Sequence, residues 1–214
     1  MIYLDFEGFA NKKPSFVGYQ IDGEFTQIIL DKTYSLISDE TDIAFMDFEE
    51  FCHSIIDISN KLEKPIVAWS SHELSVFTEF QKNINYCNLL QVAKKQINRN
   101  KLLAKTHKEM PEYWIGYRKT RAGRVNSNNN AFLKKRWDLV TILKLLDYPS
   151  LSTAYGKNKV TSRLNAIKNG LNARGSFRKL TPVQKAKWTK LKKHNFIDVN
   201  GMEYIVNKLE ITIK

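Results

Sequence analysis

The sequence predicts one mixed α/β domain, a sheet that opens with antiparallel strands and is flanked by helices. Three observations lead to that class. Strand-forming residues open the chain in three short runs separated by turn signals. A segment of helical period and a fourth apolar run follow them. Helix-like segments then lead to residue 214, and no linker composition divides them, so residues 1–214 are read as a single domain.

Each element has its own warrant. Residues 2–7, Ile-Tyr-Leu-Asp-Phe-Glu, are rich in strand formers, and Gly8 with the Asn11-Lys-Lys-Pro14 stretch ends them. Residues 15–21 and 24–30 read as the second and third strands, joined by Asp22-Gly23, a strong two-residue hairpin signal. Ile43, Met46, Phe51, Ile55, Ile58 and Leu62 predict an amphipathic helix over 41–63, stopped at Lys64-Pro65. Residues 65–69 form a short apolar strand, and Ser70-Ser71 can cap a helix over 72–80. Residues 84–90 fit a strand or the start of a helix. Residues 93–136 show no clean period and read as a basic insertion, with a loop composition at 123–130. Short helices are expected over 138–146 and 160–171. Thr181-Pro182-Val183-Gln184 has the form of a helix start, with a cap, proline at the first position and glutamine three residues after the cap. That helix runs through Trp188, and a last helical segment covers about 195–206.

Charge is segregated along the chain. The net charge is +12, yet residues 1–92 hold 15 Asp/Glu against 6 Lys/Arg. Residues 93–136 hold 13 Lys/Arg and 2 acids, and residues 157–193 hold 12 Lys/Arg and no acid. A polyanion would be drawn to the basic segments and presented to the acidic half. No apolar run is long enough to span a membrane, and the first residues do not have the form of a secretory leader. Cys52 and Cys87 are too few for a disulfide framework or a zinc site; buried thiols in a reducing cytoplasm are expected.

Three constellations carry chemistry. On a strand, Asp5 and Glu7 point to one face, with Leu4 and Phe6 turned the other way into a core. Paired carboxylates repel unless a cation lies between them or one keeps its proton, and hard divalent cations suit their oxygens. Alone, such a pair also fits a solvent-facing strand end. Glu73 follows the fourth strand at a strand-to-helix junction, where a first-turn glutamate also complements the helix dipole. His194 and Asp198, four apart on a helix, share a face, and a histidine there can accept a proton from water. A surface Asp with a core-edge His fits the same spacing.

Taken in order, these motifs resemble those of the DEDD superfamily of 3′–5′ exonucleases, within the ribonuclease H-like fold. The resemblance rests on Tyr3-Leu4-Asp5-Phe6-Glu7-Gly8, on Ile66-Val-Ala-Trp-Ser-Ser-His-Glu73, and on Lys193-His194-Asn195-Phe-Ile-Asp198-Val199. The stretch 188–202 is also similar to the end of the ribonuclease H-like exonucleases predicted in bacteria and phages. The chain departs from the family in carrying Glu73 where most members have Asp. Its His194 also stands at the spacing usual for a tyrosine. Asp138, after Trp137, is a rival for the second acid.

The resemblance implies a mixed sheet of three antiparallel strands and then parallel ones. It implies two Mg2+ or Mn2+ ions held by Asp5, Glu7, Glu73 and Asp198, with His194 orienting or deprotonating the attacking water. Arg118, Lys119, Arg121, Arg124, Lys134, Lys135 and Arg136 would grip the backbone of DNA or RNA, most simply at a single-stranded end. Tyr113, Trp114 and Tyr117 lie among them and can stack on bases or pack internally. Three rival readings share the charge pattern: a non-catalytic nucleic-acid-binding protein, a structure-selective endonuclease, and a subunit whose basic face binds an acidic protein.

Overall fold

In the computed structural model, the described residues are 1–9, 13–110, 113–114, 133–134, 137–149, 151 and 160–213. Strands β1 (Ile2–Glu7), β2 (Phe16–Ile21) and β3 (Glu24–Ile29) form an antiparallel meander. Asp22 and Gly23 both take positive φ, 53° and 86°, as the tight hairpin turn between β2 and β3 requires. Strands β4 (Ala44–Phe45), β5 (Ile66–Ala68) and β6 (Tyr86–Asn88) complete a six-stranded sheet in the order β4-β3-β2-β1-β5-β6. β5 runs parallel to β1, β6 to β5 and β4 to β3. This is a ribonuclease H-like mixed sheet, antiparallel and then parallel, with helices on it.

Both faces of the sheet are covered. Ile2 and Leu4 of β1 pack with Phe48, Phe51 and Ile55 of helix α1 (Phe48–Leu62) and Phe77 of helix α2 (Ser71–Thr78). Tyr3 faces the other way, into a cluster with Leu89, Ala93 and Ile97 of α3 (Leu89–Arg99), Ile142 and Leu143 of α5 (Leu139–Leu145) and Ile197, Val199 and Met202 of α7 (Pro182–Lys208). Helix α4 (Lys101–Glu109) follows α3 directly, with Asn100 between them accepting from the amides of Leu102 and Leu103. A third cluster joins Leu164, Ile167 and Leu171 of α6 (Val160–Arg174) to Trp188 and Leu191 of α7 and to Tyr34 and Ile37 of a 3-10 helix over Lys32–Glu40. Strands β7 (Tyr113–Trp114) and β8 (Leu133–Lys134) pair in a separate two-stranded ribbon.

The elements differ from expectation in three places. The helix expected over 41–63 begins at Phe48, because Asp47 caps it by accepting from the Glu49 amide, and residues 44–45 are a strand instead. Residues 93–110, which show no clean period in the sequence, are helical: they complete α3 and form α4, and Ala93 and Ile97 are fully buried in the core. The two C-terminal helices are one helix of 27 residues. It opens with the expected capping box, in which Thr181 and Gln184 bond reciprocally. Among the described residues, no helix is long and apolar enough to cross a membrane.

Candidate metal centre

Helix α7 lies across the face of the β1-β2-β3 meander, where Gln27 donates to the Lys192 carbonyl and to Asn195, Asn195 donates to Asp5, and Gln20 donates to Glu203. Its N-terminal half is buried through Trp188 and Leu191, and its C-terminal half through Ile197, Val199 and Met202, in different core clusters. His194, Asn195 and Asp198 lie at the seam between those clusters. β1 delivers Asp5 and Glu7 to the same side, because odd positions of β1 face α7 while Ile2 and Leu4 face α1.

Asn195 ties the helix to the strand. It is fully buried, and its Nδ2 donates to the Asp5 carbonyl at 3.0 Å and to Asp5 Oδ2 at 2.9 Å. Gln27 Nε2 in turn donates to Asn195 Oδ1 at 3.1 Å and to the Lys192 carbonyl at 2.9 Å. The helix can come this close only because position 18, paired with Asp5 on β1 and Gln27 on β3, is glycine. A Cβ at Gly18 would sit on the Asn195 carboxamide. The backbone therefore aims the Asp5 carboxylate through a relay of neutral amides.

Glu7, His194 and Asp198 form the tight core of the site: one ligand atom from each lies within 4.8 Å of the others. His194 Nε2 is 3.5 Å from Asp198 Oδ2 and 3.8 Å from Glu7 Oε1. Glu7 is 6 % exposed and Asp198 9 %. Glu73 stands at the edge, in the first turn of α2, where Ser70 Oγ donates to its Oε2 at 2.8 Å. Ser70 also caps α2 by accepting from the His72 amide, as expected. The charge of Glu73 acts on both Asp5 and Asp198. A cleft of about 200 Å3 opens beside Glu7, walled by Phe6, Gly8, Phe9, Val76 and Val160.

The electrostatics follow from crowding acids away from water. Burial, and after it the charge of Glu73, pushes the Asp5 carboxyl up to about 8, against the opposing Asn195 hydrogen bond. Burial and then the charges of Asp5 and Asp198 hold Glu7 well above the ordinary carboxylate range, with Arg163 pulling the other way. Burial, then Asp5 and Glu73, does the same to Asp198. His194 moves oppositely: burial and the Arg163 guanidinium lower it to about 4, so its ring is neutral at pH 7. Without a cation this site keeps protons on its acids. Glu7 Oε1 is buried with no hydrogen-bond partner, an arrangement that costs roughly 1–3 kcal/mol unless a cation satisfies it. The oxygen-rich donor set fits a hard divalent ion.

Of the five residues expected from the sequence, Glu7, His194 and Asp198 form the 4.8 Å group, while Asp5 and Glu73 lie outside it and act on it through their charges, Asp5 on Glu7 and Asp198 and Glu73 on Asp198. Asp138 does something else: its Oδ1 caps α5, accepting from the Thr141 amide at 2.9 Å and the Thr141 hydroxyl at 2.6 Å. Lys134 lies on β8, while Arg118, Lys119, Arg121, Arg124, Lys135, Arg136 and Tyr117 fall outside the described residues. Two members of the site escaped sequence reasoning. Asn195 lies inside the third motif, where no local pattern marks it as a contact of Asp5. Arg163, 7 % exposed on α6, carries a cation that acts on both Glu7 and His194. An arginine among apolar residues at helical spacing was the available signal. No protein-family model, curated protein or solved structure matches the chain.

Proposed function

We propose that this chain is a metal-dependent nuclease that hydrolyses phosphodiester bonds of DNA or RNA, acting as a 3′–5′ exonuclease. The observation that carries the reading is the meeting of Asp5 and Glu7 with Asp198 in a buried site where a Glu7 oxygen has no donor. The polarity and the preference for a strand end rest on the resemblance to DEDD exonucleases.

Asp5, Glu7, Glu73 and Asp198 would hold two Mg2+ or Mn2+ ions. Bound there, such ions supply an acidified water and charge stabilisation at the reacting phosphate. The chain's own groups do the rest. Neutral His194 can orient the attacking water by accepting its hydrogen bond at Nε2. Burial, and after it the charge of Arg163, holds that ring unprotonated. Asn195 fixes the direction of the Asp5 carboxylate, which would then need little reorganisation to hold an ion. A reducing cytoplasm suits Cys52 and Cys87, both buried and unpaired.

The test is incubation of purified protein with end-labelled linear and circular DNA and RNA, in Mn2+, Mg2+ or chelator. We expect metal-dependent shortening from the 3′ end, lost in Asp198→Asn with binding retained. Cleavage that survives chelator or Asp198→Asn would sink the proposal. Cleavage of circular substrates would keep the metal chemistry but replace the exonuclease with an endonuclease.

A further inference from the structure

The cations of the second basic segment are not equivalent once they are placed on α7. Positions 187, 190, 194 and 198 recur at three- and four-residue spacing and so share one face of the helix. That face carries His194 and Asp198 at one end. One turn before His194 it carries Lys190, which is exposed, and two turns before it Lys187, which is half-buried. At about 1.5 Å of rise per residue, Lys187 lies about 16 Å along the axis from Asp198.

The neighbouring cations are turned elsewhere or engaged. Lys192 and Lys193 precede His194 by two residues and one, about 200° and 100° around the helix. Lys185 Nζ donates to the Arg178 carbonyl at 2.7 Å, and Arg178 Nε lies 3.6 Å from Glu40. Lys187 and Lys190 have no acidic partner among the described residues. Beneath them, Arg163 Nη1 donates to the Lys190 carbonyl at 3.3 Å. A line of positive charge therefore leads from the start of α7 to the carboxylates, with a buried guanidinium where it meets them.

We propose that the substrate's phosphate backbone reaches the site along this face of α7, with Lys187 and Lys190 each holding a phosphate and Arg163 lying under the last of them. The inference rests on the nuclease reading and adds the path by which a polyanion enters a pocket of acids. Lysine–phosphate pairs of this kind position a strand without reading its bases. The path also accounts for a basic segment immediately preceding an acidic site in the sequence, because successive turns of one helix carry both.

The test is binding of a fluorescently labelled oligothymidylate to the full chain in chelator, by anisotropy, over a range of salt. Lys187→Ala/Lys190→Ala should weaken binding on the order of tenfold. It should also make the slope of log affinity against log salt shallower by about 1.4, or about 0.7 for each phosphate no longer neutralised. Lys192→Ala/Lys193→Ala removes the same net charge from other faces and should change affinity less than about twofold. Lys187→Arg/Lys190→Arg should keep both affinity and slope, with unchanged melting in all three variants. Equal losses in the two alanine pairs, or an unchanged slope, overturn the path and leave only net charge as the attraction. An unchanged slope with hydrolysis intact rejects the path alone. Binding through Lys187 and Lys190 without any metal-dependent hydrolysis rejects the nuclease and keeps the path.

Discussion

Replacing Asp5 by asparagine should make the metal-free protein more stable while ending its response to metal. The folded site raises the Asp5 carboxyl from its ordinary 3.8 to about 8. Between those values the folded chain keeps a proton that the unfolded chain has released. Stability from this group is therefore greatest below about pH 4, falls as pH rises, and levels off above about pH 8. At pH 7 the gap amounts to a penalty on the order of 4 kcal/mol. Asparagine has nearly the same shape, carries no charge and can still accept from Asn195, so the variant escapes that penalty. For a chain of this size the gain is a rise in melting temperature of roughly 10 °C at pH 7. The assay is thermal unfolding of parent and variant from pH 4 to 8.5, in chelator and in Mn2+. In chelator the parent should lose stability more steeply than Asp5→Asn, with the two nearly equal at pH 4. Manganese should raise the parent's melting temperature, more so at higher pH, and leave the variant where it was. Parallel pH profiles, or the same manganese response in both proteins, would refute the claim that Asp5 is a buried, cation-seeking carboxylate.

Other substitutions divide the site from the scaffold. Gly18→Ala places a Cβ on the Asn195 carboxamide and should cost about 1–3 kcal/mol of stability by urea unfolding; manganese protection should drop with it, as α7 is pushed from β1. Gly201→Ala meets Leu143 Cδ1 at 2.7 Å and should destabilise by a similar amount with manganese protection intact, because it lies in the core beyond the site. Asn195→Ala strands the Gln27 amide and the Asp5 oxygens, so a loss of about 1–3 kcal/mol should accompany weaker manganese binding by calorimetry. Asp138→Ala should cost about 1 kcal/mol as a lost helix cap and leave metal binding alone, whereas Glu73→Ala should weaken metal binding. The reverse pattern would return Asp138 to the site.

What could be read from the residues alone was whatever short-range chemistry specifies. Asp22-Gly23 makes its own turn, Thr181 and Gln184 make their own cap, and alternation along β1 sets Asp5 and Glu7 on one face. The opening meander and the short strand after α1 follow from such signals, whereas the parallel pairing and the set of acids around the site were implied only by the resemblance of the ordered motifs to those of a known family. Elements with weak local signals were hidden. Strand β4 has two residues and β6 three, and each is held by the strand beside it. α3 buries a small Ala93 between Leu89 and Ile97, a faint stripe among cations. The continuity of α7 was masked because its seam positions are polar: Asn195 and Asp198 are buried for the site rather than for the core. Folding alone decided that Asn195 would reach Asp5, and that the buried Arg163 would come to stand behind Glu7 and His194. Those partners are separated by 190 residues in the first case and by more than 150 and by 31 in the second. Interactions over such separations exist only after the sheet and α7 have closed on each other, so no local pattern records them.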